Sequence, residues 1–112
     1  MVRKYLPVKT RYETSKVYLE EIIYIEKDRR RAKLITVNGI ITIYCGMDFL
    51  KQYTDERFLH CHRSYLFNMD KIKAMKEQTL HMENGDCIPL GRDCFRAARK
   101  TFDSYLHRKK DS

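Results

Sequence analysis

The sequence predicts a mostly β domain of small antiparallel sheets, with a short helix of about two turns and a C-terminal helix. Short apolar segments with alternating side chains recur along the chain and are separated by turn residues. Two Asn-Gly dipeptides, Asn38-Gly39 and Asn84-Gly85, lie between such segments, and this dipeptide is the strongest local signal for a β-hairpin. The chain has 112 residues, of which 43% are hydrophobic, which suits one domain with a modest core.

The strand-like segments follow one another without a Pro/Gly/Ser-rich linker, which indicates a single compact unit. An opening pair of strands precedes a nearly unbroken apolar run at residues 22–25, typical of a buried strand. Asn38-Gly39 is expected to fill both central positions of a hairpin turn with φ above zero. The predicted strands are residues 3–10, 12–17, 22–26, 33–37, 40–44, 58–63, 65–67, 79–82 and 87–90.

Two segments show helical spacing of apolar side chains. Residues 47–53 place three such side chains on one face, which predicts the short helix. Residues 93–107 are typical of an amphipathic helix that docks on a sheet or on another subunit. Its apolar stripe consists of Phe95, Ala98, Phe102 and Tyr105. Residues 108–112 are expected to form a solvated basic tail.

The chain carries 23 Lys and Arg residues against 15 Asp and Glu residues, a net charge of +8. Such an excess favours a polyanionic partner, which by charge alone is DNA, RNA or an anionic membrane surface. No apolar run approaches the length of a membrane span, and the N-terminus lacks the apolar core of a signal peptide. We therefore expect a cytoplasmic location and no membrane partner.

A polar His-Arg-Ser insert interrupts an apolar segment at residues 58–68, FLHCHRSYLFN. A core strand does not need these side chains in succession, so they indicate a contact outside the fold. This segment, followed by Ile72, resembles the signature of the LytTR family of bacterial DNA-binding domains. Two further blocks resemble the family in the expected order, LEEIIYIE at residues 19–26 and NGDCIPLGR at residues 84–92. Gly91 stands where the family usually has serine.

The resemblance implies small stacked β-sheets with little helix, and a DNA-binding domain at residues 1–107. It also implies DNA recognition by loops, regulation of transcription, and binding as a dimer to paired repeats in double-stranded DNA. A receiver domain or a regulatory protein is implied as a further partner, and no cofactor is implied. The family's usual receiver domain is not among these 112 residues, so the chain is expected to be an excised effector domain or a stand-alone regulator.

The densest cationic segment is residues 27–33, KDRRRAK, where five of seven side chains are positive. Like charges this close repel one another unless an anion lies against them. The segment is either a solvated loop or a loop that enters DNA, where arginines suit phosphates or the edge of guanine. The resemblance favours DNA, because the family uses this loop to reach a major groove. The candidates here are Lys27, Arg29, Arg30, Arg31 and Lys33.

Three further candidates form the His-Arg-Ser insert. Arg63 suits base or sugar edges, and Ser64 suits a phosphate oxygen. His62 is either a structural histidine that bonds to neighbouring groups or a direct DNA contact. Asn68 is expected to hold the turn that follows it, Met69-Asp70, through its side chain.

Arg92 follows the second Asn-Gly hairpin and directly precedes the C-terminal helix. The helix dipole disfavours a cation near a helix start, so a solvated cation explains Arg92 less well than an external anion does. By resemblance, Arg92 is the family's recurring base-contacting arginine. The loops that carry Arg29–Arg31, Arg63–Ser64 and Arg92 are expected to project from one edge of a β scaffold.

The cysteines, which lack any CxxC spacing, are Cys45, Cys61, Cys87 and Cys94. The simplest interpretation is four packed thiols in a reducing cytosol. A second interpretation is a redox pair, Cys61 and Cys87, which requires the strands that carry them to be neighbours.

The sequence does not favour an enzyme. Cys61 lies between His60 and His62, but adjacent strand residues point to opposite faces, so neither histidine is placed to activate the thiol. A metal site built from His60, His62 and His81 would lack a complete set of ligands. A redox-responsive module, or a general module for RNA or non-specific DNA, is the alternative, although RNP-like and GXXG motifs are absent.

Overall fold

The computed structural model describes residues 2–62 and 64–111, except for the side chains of residues 62 and 109–111. It confirms the predicted mostly β fold, with three antiparallel sheets and two α-helices among the described residues. The elements are β1 Tyr5–Lys9, β2 Thr14–Tyr18, β3 Ile22–Asp28, β4 Arg31–Thr36, β5 Gly39–Tyr44, α1 Met47–Tyr53, β6 Phe58–His62, β7 Tyr65–Asn68, β8 Ile72–Lys76, β9 Thr79–Met82, β10 Cys87–Pro89 and α2 Arg92–Asp111.

The largest sheet has five antiparallel strands in the order β5-β4-β3-β7-β6. Its central strands are buried on both faces, because neighbouring residues point into two separate cores. In β3, Ile22 and Ile25 belong to the first core, whereas Ile23 belongs to the second. Leu66 and Phe67 of β7 divide in the same way. This double burial explains the nearly unbroken apolar run in the sequence.

The first core joins the five-stranded sheet to the β1–β2 hairpin and to α1. Leu6 and Val8 of β1 and Leu50 of α1 are almost completely buried there. Burying a side chain of this size stabilises the fold by about 1.5–3 kcal/mol. The first core therefore positions the hairpin and α1 against the sheet.

The second core joins the other face of that sheet to the three-stranded sheet β10-β9-β8 and to α2. Leu80 of β9 and Ala98 of α2 are buried in it, as is Tyr105, whose hydroxyl donates a 2.8 Å hydrogen bond to Asp70. Ala98 and Tyr105 belong to the apolar stripe predicted for the C-terminal helix. That helix therefore docks on the sheets of its own chain.

Asn68 is fully buried and holds the turn that follows it, as predicted. Its side-chain oxygen accepts a 3.0 Å hydrogen bond from the Asp70 amide. Its side-chain nitrogen donates to the carbonyl oxygens of Leu19, at 3.3 Å, and Ile22, at 2.7 Å. The side chain therefore links the end of β7 to the chain entering β3.

The hairpin predicted from Asn38-Gly39 is present, but the prediction for its turn was wrong. Thr36 pairs with Gly39, so Val37 and Asn38 are the central residues, and of these residues only Gly39 has positive φ, at 134°. The Thr36 hydroxyl donates to the Gly39 carbonyl at 2.7 Å and accepts from the Asn38 amide at 3.1 Å. These side-chain hydrogen bonds stabilise a turn shifted by one residue.

Other bounds also differ from the prediction. The segment predicted as a loop, residues 27–33, is mostly strand, because β3 continues to Asp28 and β4 begins at Arg31. β8 was missed because lysines interrupt its apolar alternation and its pairing with β9 shifts register between Ile72 and Ala74. α2 continues to Asp111, so the helix includes most of the segment expected as a tail. Lys and Arg are good helix formers, and cations are favourable at the C-terminal end of a helix dipole.

Candidate nucleic-acid interface

The turn between β3 and β4 consists of Arg29 and Arg30, and both residues are exposed. Arg29 has φ 55°, a left-handed conformation that glycine and asparagine adopt more easily. The Lys27 ammonium group donates a hydrogen bond to the Arg29 carbonyl, and the Cys45 amide donates one of 3.0 Å to the Arg30 carbonyl. The backbone of the turn is therefore held at two points, while both arginines remain open to solvent.

Arg31 and Lys33 lie beside carboxylates. Arg31 forms an ion pair with Asp28, its partner across the β3–β4 hairpin, with 3.5 Å between Nη2 and Oδ2. Lys33 is the cross-strand partner of Glu26, and such partners share one face of the sheet. Among the described residues no ion pair involves the two arginines of the turn. The unbalanced positive charge of this segment is therefore concentrated at the tip of the turn.

The corner between β6 and β7 lies directly beside this turn. β3 pairs with β7, and the Lys27 amide donates a 2.6 Å hydrogen bond to the Ser64 carbonyl. Two of the three predicted DNA-binding segments are thus joined through the backbone. Arg63 and the side chain of His62 lie outside the described residues.

Arg92 is the first residue of α2 and is exposed. Two residues later, the Cys94 thiol donates a 2.7 Å hydrogen bond to the Cys61 carbonyl of β6. This contact places the start of α2 beside the end of β6, next to the β6–β7 corner. The structure therefore brings the three predicted DNA-binding segments to one edge of the five-stranded sheet. This edge is formed by the ends of β3 and β6 and the starts of β4 and β7.

Two partly buried tyrosines, Tyr24 and Tyr65, stabilise the structure around this edge. The Tyr24 hydroxyl donates a 2.9 Å hydrogen bond to Asp86 in the β9–β10 hairpin, and burial together with this bond raises the pKa of Tyr24. The Tyr65 ring stacks on Phe67 with 5.2 Å between centroids, and its hydroxyl donates to Glu26 at 3.3 Å. Burial and the Glu26 charge raise the pKa of Tyr65. The hairpin that leads into α2 is thereby fixed against β3.

The structure corrects the premise of the Cys61–Cys87 redox pair. β6 pairs with β7, whereas β10 pairs with β9 in a different sheet, so the strands that carry these cysteines are not neighbours. Cys61 lies against Cys94 instead, and burial together with this neighbour raises the pKa of Cys61 to about 12. A thiol that stays protonated at neutral pH is a poor nucleophile. Cys87 is exposed, with its sulfur 3.3 Å from Nδ1 of His81.

One exposed aromatic residue near this edge was not predicted as a site residue. Tyr44 is the last residue of β5, is 78% exposed and pairs with Arg31 on the neighbouring strand β4. Alternation along β5 carries the signal that would have identified it, because Ile43 points into the first core and leaves Tyr44 on the outward face.

The chain matches the sequence model of the LytTr DNA-binding domain over residues 12–103. Among solved structures it is similar to the LytTr DNA-binding domain of a Bacillus cereus protein named as a methyl-accepting/DNA response regulator. The TM-score is 0.71 at 23% sequence identity, and the likeness covers 89% of this chain and 97% of that chain. No curated protein matches the chain. In the part of the chain that the structure describes, no helix is long and apolar enough to cross a membrane. Because the family model spans most of the chain and includes all three segments at the sheet edge, the protein belongs to the LytTr DNA-binding domain family.

Proposed function

We propose that this domain binds double-stranded DNA sequence-specifically and regulates transcription in the bacterial cytoplasm. The observation that carries the proposal is the convergence of three segments at one edge of the five-stranded sheet. The hydrogen bonds between Lys27 and Ser64 and between Cys94 and Cys61 support that convergence. The net charge of +8 suits a polyanionic partner.

The proposed interface contains two kinds of contact, one with phosphates and one with base edges. Arg29 and Arg30, without carboxylate partners in the described structure, bind phosphates and supply affinity that does not depend on base sequence. Arg63 and Arg92 read base edges, because a guanidinium group can donate two parallel hydrogen bonds to O6 and N7 of guanine. Ser64 binds a phosphate oxygen of the DNA backbone. Specificity then depends on few side chains and affinity on many.

Two copies of the domain bind paired repeats in this proposal. A single domain presents one such edge, so reading two repeats requires two copies at a fixed spacing. The Bacillus cereus domain that is similar in structure comes from a protein named as a response regulator. Control of this domain by a receiver domain or a separate regulatory protein is consistent with that source.

The test is a selection from random duplexes, followed by binding of the selected duplex and a shuffled duplex at several salt concentrations. We expect a paired motif, bound at least about a thousandfold more tightly than its shuffled control. We also expect affinity to fall steeply with salt for both duplexes, since both release counterions from phosphates.

Salt-sensitive binding without an enriched motif would overturn the proposal of a sequence-specific regulator. It would favour a module that binds phosphates only. Displacement of the selected duplex by single-stranded RNA at equal concentration would favour an RNA-binding module instead. The spacing of the two half-sites, if a motif is enriched, measures the distance between the two DNA-binding edges of a dimer.

A further inference from the structure

Two surface grooves adjoin next to the β3–β4 turn. The first, of about 460 Å³, lies between that turn and the end of β5, and Arg29 and Arg30 line it. The second, of about 400 Å³, lies between the end of β5 and the β1–β2 hairpin, and Lys9 lines it. Tyr44, together with the two residues after it, lines both grooves. The surface is therefore continuous from the arginine turn, across Tyr44, to Lys9.

This surface is positive and lacks compensating charge. None of the described residues that line either groove is acidic. Among the described residues no ion pair involves Lys9, Arg29 or Arg30. Three cations along a continuous surface without carboxylates repel one another, and an extended polyanion relieves that repulsion.

The fold holds the ends of this surface in place. Val8 and Ile43 are buried in the same core, so the end of β1 and the end of β5 are both anchored in it. The Cys45 amide bonds to the Arg30 carbonyl at 3.0 Å, which fixes the end of β5 to the arginine turn. Lys9 and Tyr44 are both exposed at the ends of their strands, so neither is needed for the core.

The side chain of Tyr44 belongs to neither core. Its side chain is 78% exposed, and its hydroxyl has no hydrogen-bond partner among the described residues. Tyrosine hydroxyl groups and lysine ammonium groups are both common donors to phosphate oxygens. An exposed hydroxyl between two cationic positions is well suited to the sugar–phosphate backbone.

We infer that Lys9 and Tyr44 form an additional phosphate-binding surface, along which the DNA backbone continues from the Arg29–Arg30 turn to the β1–β2 hairpin. This inference rests on the proposed function. It assigns a DNA contact to a residue outside the matched family model, since that match begins at residue 12. The contact is with phosphate, so it adds affinity and no base preference.

The test compares single variants of the full chain on the selected duplex and on its shuffled control, across a salt series. Lys9→Ala removes one phosphate contact, so we expect binding about three- to tenfold weaker on both duplexes and a salt slope smaller by about 0.9. Tyr44→Phe removes only a neutral hydroxyl, so we expect weaker binding on both duplexes with an unchanged salt slope. Lys100→Ala is the matched control, because it removes the same charge from an exposed position on α2, outside both grooves.

Wild-type affinity and salt slope in both Lys9→Ala and Tyr44→Phe, with specific binding by the unmodified chain, would overturn this inference alone. An equal loss in Lys100→Ala would also overturn it, because the effect would then come from net charge and not from the grooves. Failure of the unmodified chain to bind any duplex would overturn the proposed function as well. Thermal melting of each variant confirms that the exposed substitutions leave the fold intact.

Discussion

The backbone nitrogen of Lys27 lies 2.6 Å from the carbonyl oxygen of Ser64. This hydrogen bond extends the β3–β7 pairing beyond the last paired residues, Glu26 and Tyr65. It joins the arginine turn to the β6–β7 corner without using a side chain of either segment. A side-chain substitution in either segment should therefore leave this hydrogen bond in place.

Arg29→Gly should separate stability from DNA binding. Arg29 has φ 55°, and glycine adopts this conformation without the steric cost that a Cβ atom brings. We expect the free energy of unfolding to stay unchanged or to rise by up to about 1 kcal/mol. DNA affinity should fall about three- to tenfold on specific and shuffled duplexes alike, because a phosphate contact is lost.

Gln78→Gly is the matched control for that experiment. Gln78 has φ 56°, carries no charge and lies in the β8–β9 turn. We expect a similar gain in stability and unchanged DNA affinity. Unchanged DNA affinity in Arg29→Gly would exclude Arg29 from the interface.

Arg92→Ala should weaken binding to the selected duplex more than to shuffled DNA. A bidentate contact to a base is worth about 1–3 kcal/mol of discrimination, so we expect the ratio of the two affinities to fall about tenfold. Arg96→Ala, one turn later on α2 and also exposed, removes the same charge and should leave the ratio unchanged. Equal losses on both duplexes for Arg92→Ala would identify a phosphate contact instead.

Thiol reactivity should distinguish Cys87 from Cys61. Burial and the neighbouring Cys94 raise the pKa of Cys61 to about 12, whereas Cys87 is exposed. The thiolate is the reactive form, so alkylation at neutral pH followed by mass spectrometry should label Cys87 first and leave Cys61 unmodified in the folded protein. Equal labelling rates for the two residues under native conditions would contradict the packing of β6 against α2.

Asn68→Ala should destabilise the fold strongly. The substitution removes one acceptor and two donor contacts, and leaves the carbonyls of Leu19 and Ile22 without their amide partner. We expect a loss of about 3–5 kcal/mol in the free energy of unfolding by urea titration. Asn84→Ala removes hydrogen bonds at an exposed turn and should cost no more than about 1 kcal/mol.

Asp55 should contribute a pH-dependent part of the stability. Burial alone raises the pKa of this carboxyl, but hydrogen bonds from the Arg57 side chain and backbone outweigh burial and lower the pKa below 3.8. The folded state then binds the proton less readily than the unfolded state does. The contribution is present above about pH 5 and is lost as the pH falls through 3.8 and below.

Asp55→Asn should therefore lower the unfolding free energy at pH 7 by about 1–3 kcal/mol and flatten its acid dependence. Asp103→Asn is the control, because its carboxylate is 71% exposed and an exposed pair contributes little. Parallel acid dependence of unfolding in wild type and Asp55→Asn would show that Asp55 is not the source of that dependence.

Local signals predicted most of the fold. The short helix at residues 47–53 was predicted with the bounds that the structure shows, because its apolar spacing is complete within seven residues. Both Asn-Gly hairpins were predicted from the dipeptides themselves. β8 was missed because its stability comes from pairing with β9 and from Ile72 in the second core, and neither contact is visible in a five-residue segment that contains two lysines.

Long-range contacts limited the prediction of the site. The sequence does not show that Cys61 lies beside Cys94, since that contact depends on how α2 crosses β6. It also gives equal weight to all five cations of the β3–β4 segment. Only the strand register reveals that Arg31 and Lys33 lie beside Asp28 and Glu26.

The double burial of β3 has a consequence for the thermodynamics of DNA association. β3 is packed between two cores and ends where the arginine turn begins. The backbone of the turn is therefore ordered before DNA binds. Docking then immobilises side chains and releases ions but folds little new chain, and the entropic cost of association stays small. The heat-capacity change on association should accordingly match the area of the interface, and it should lack the additional decrease that accompanies folding of a disordered segment on binding.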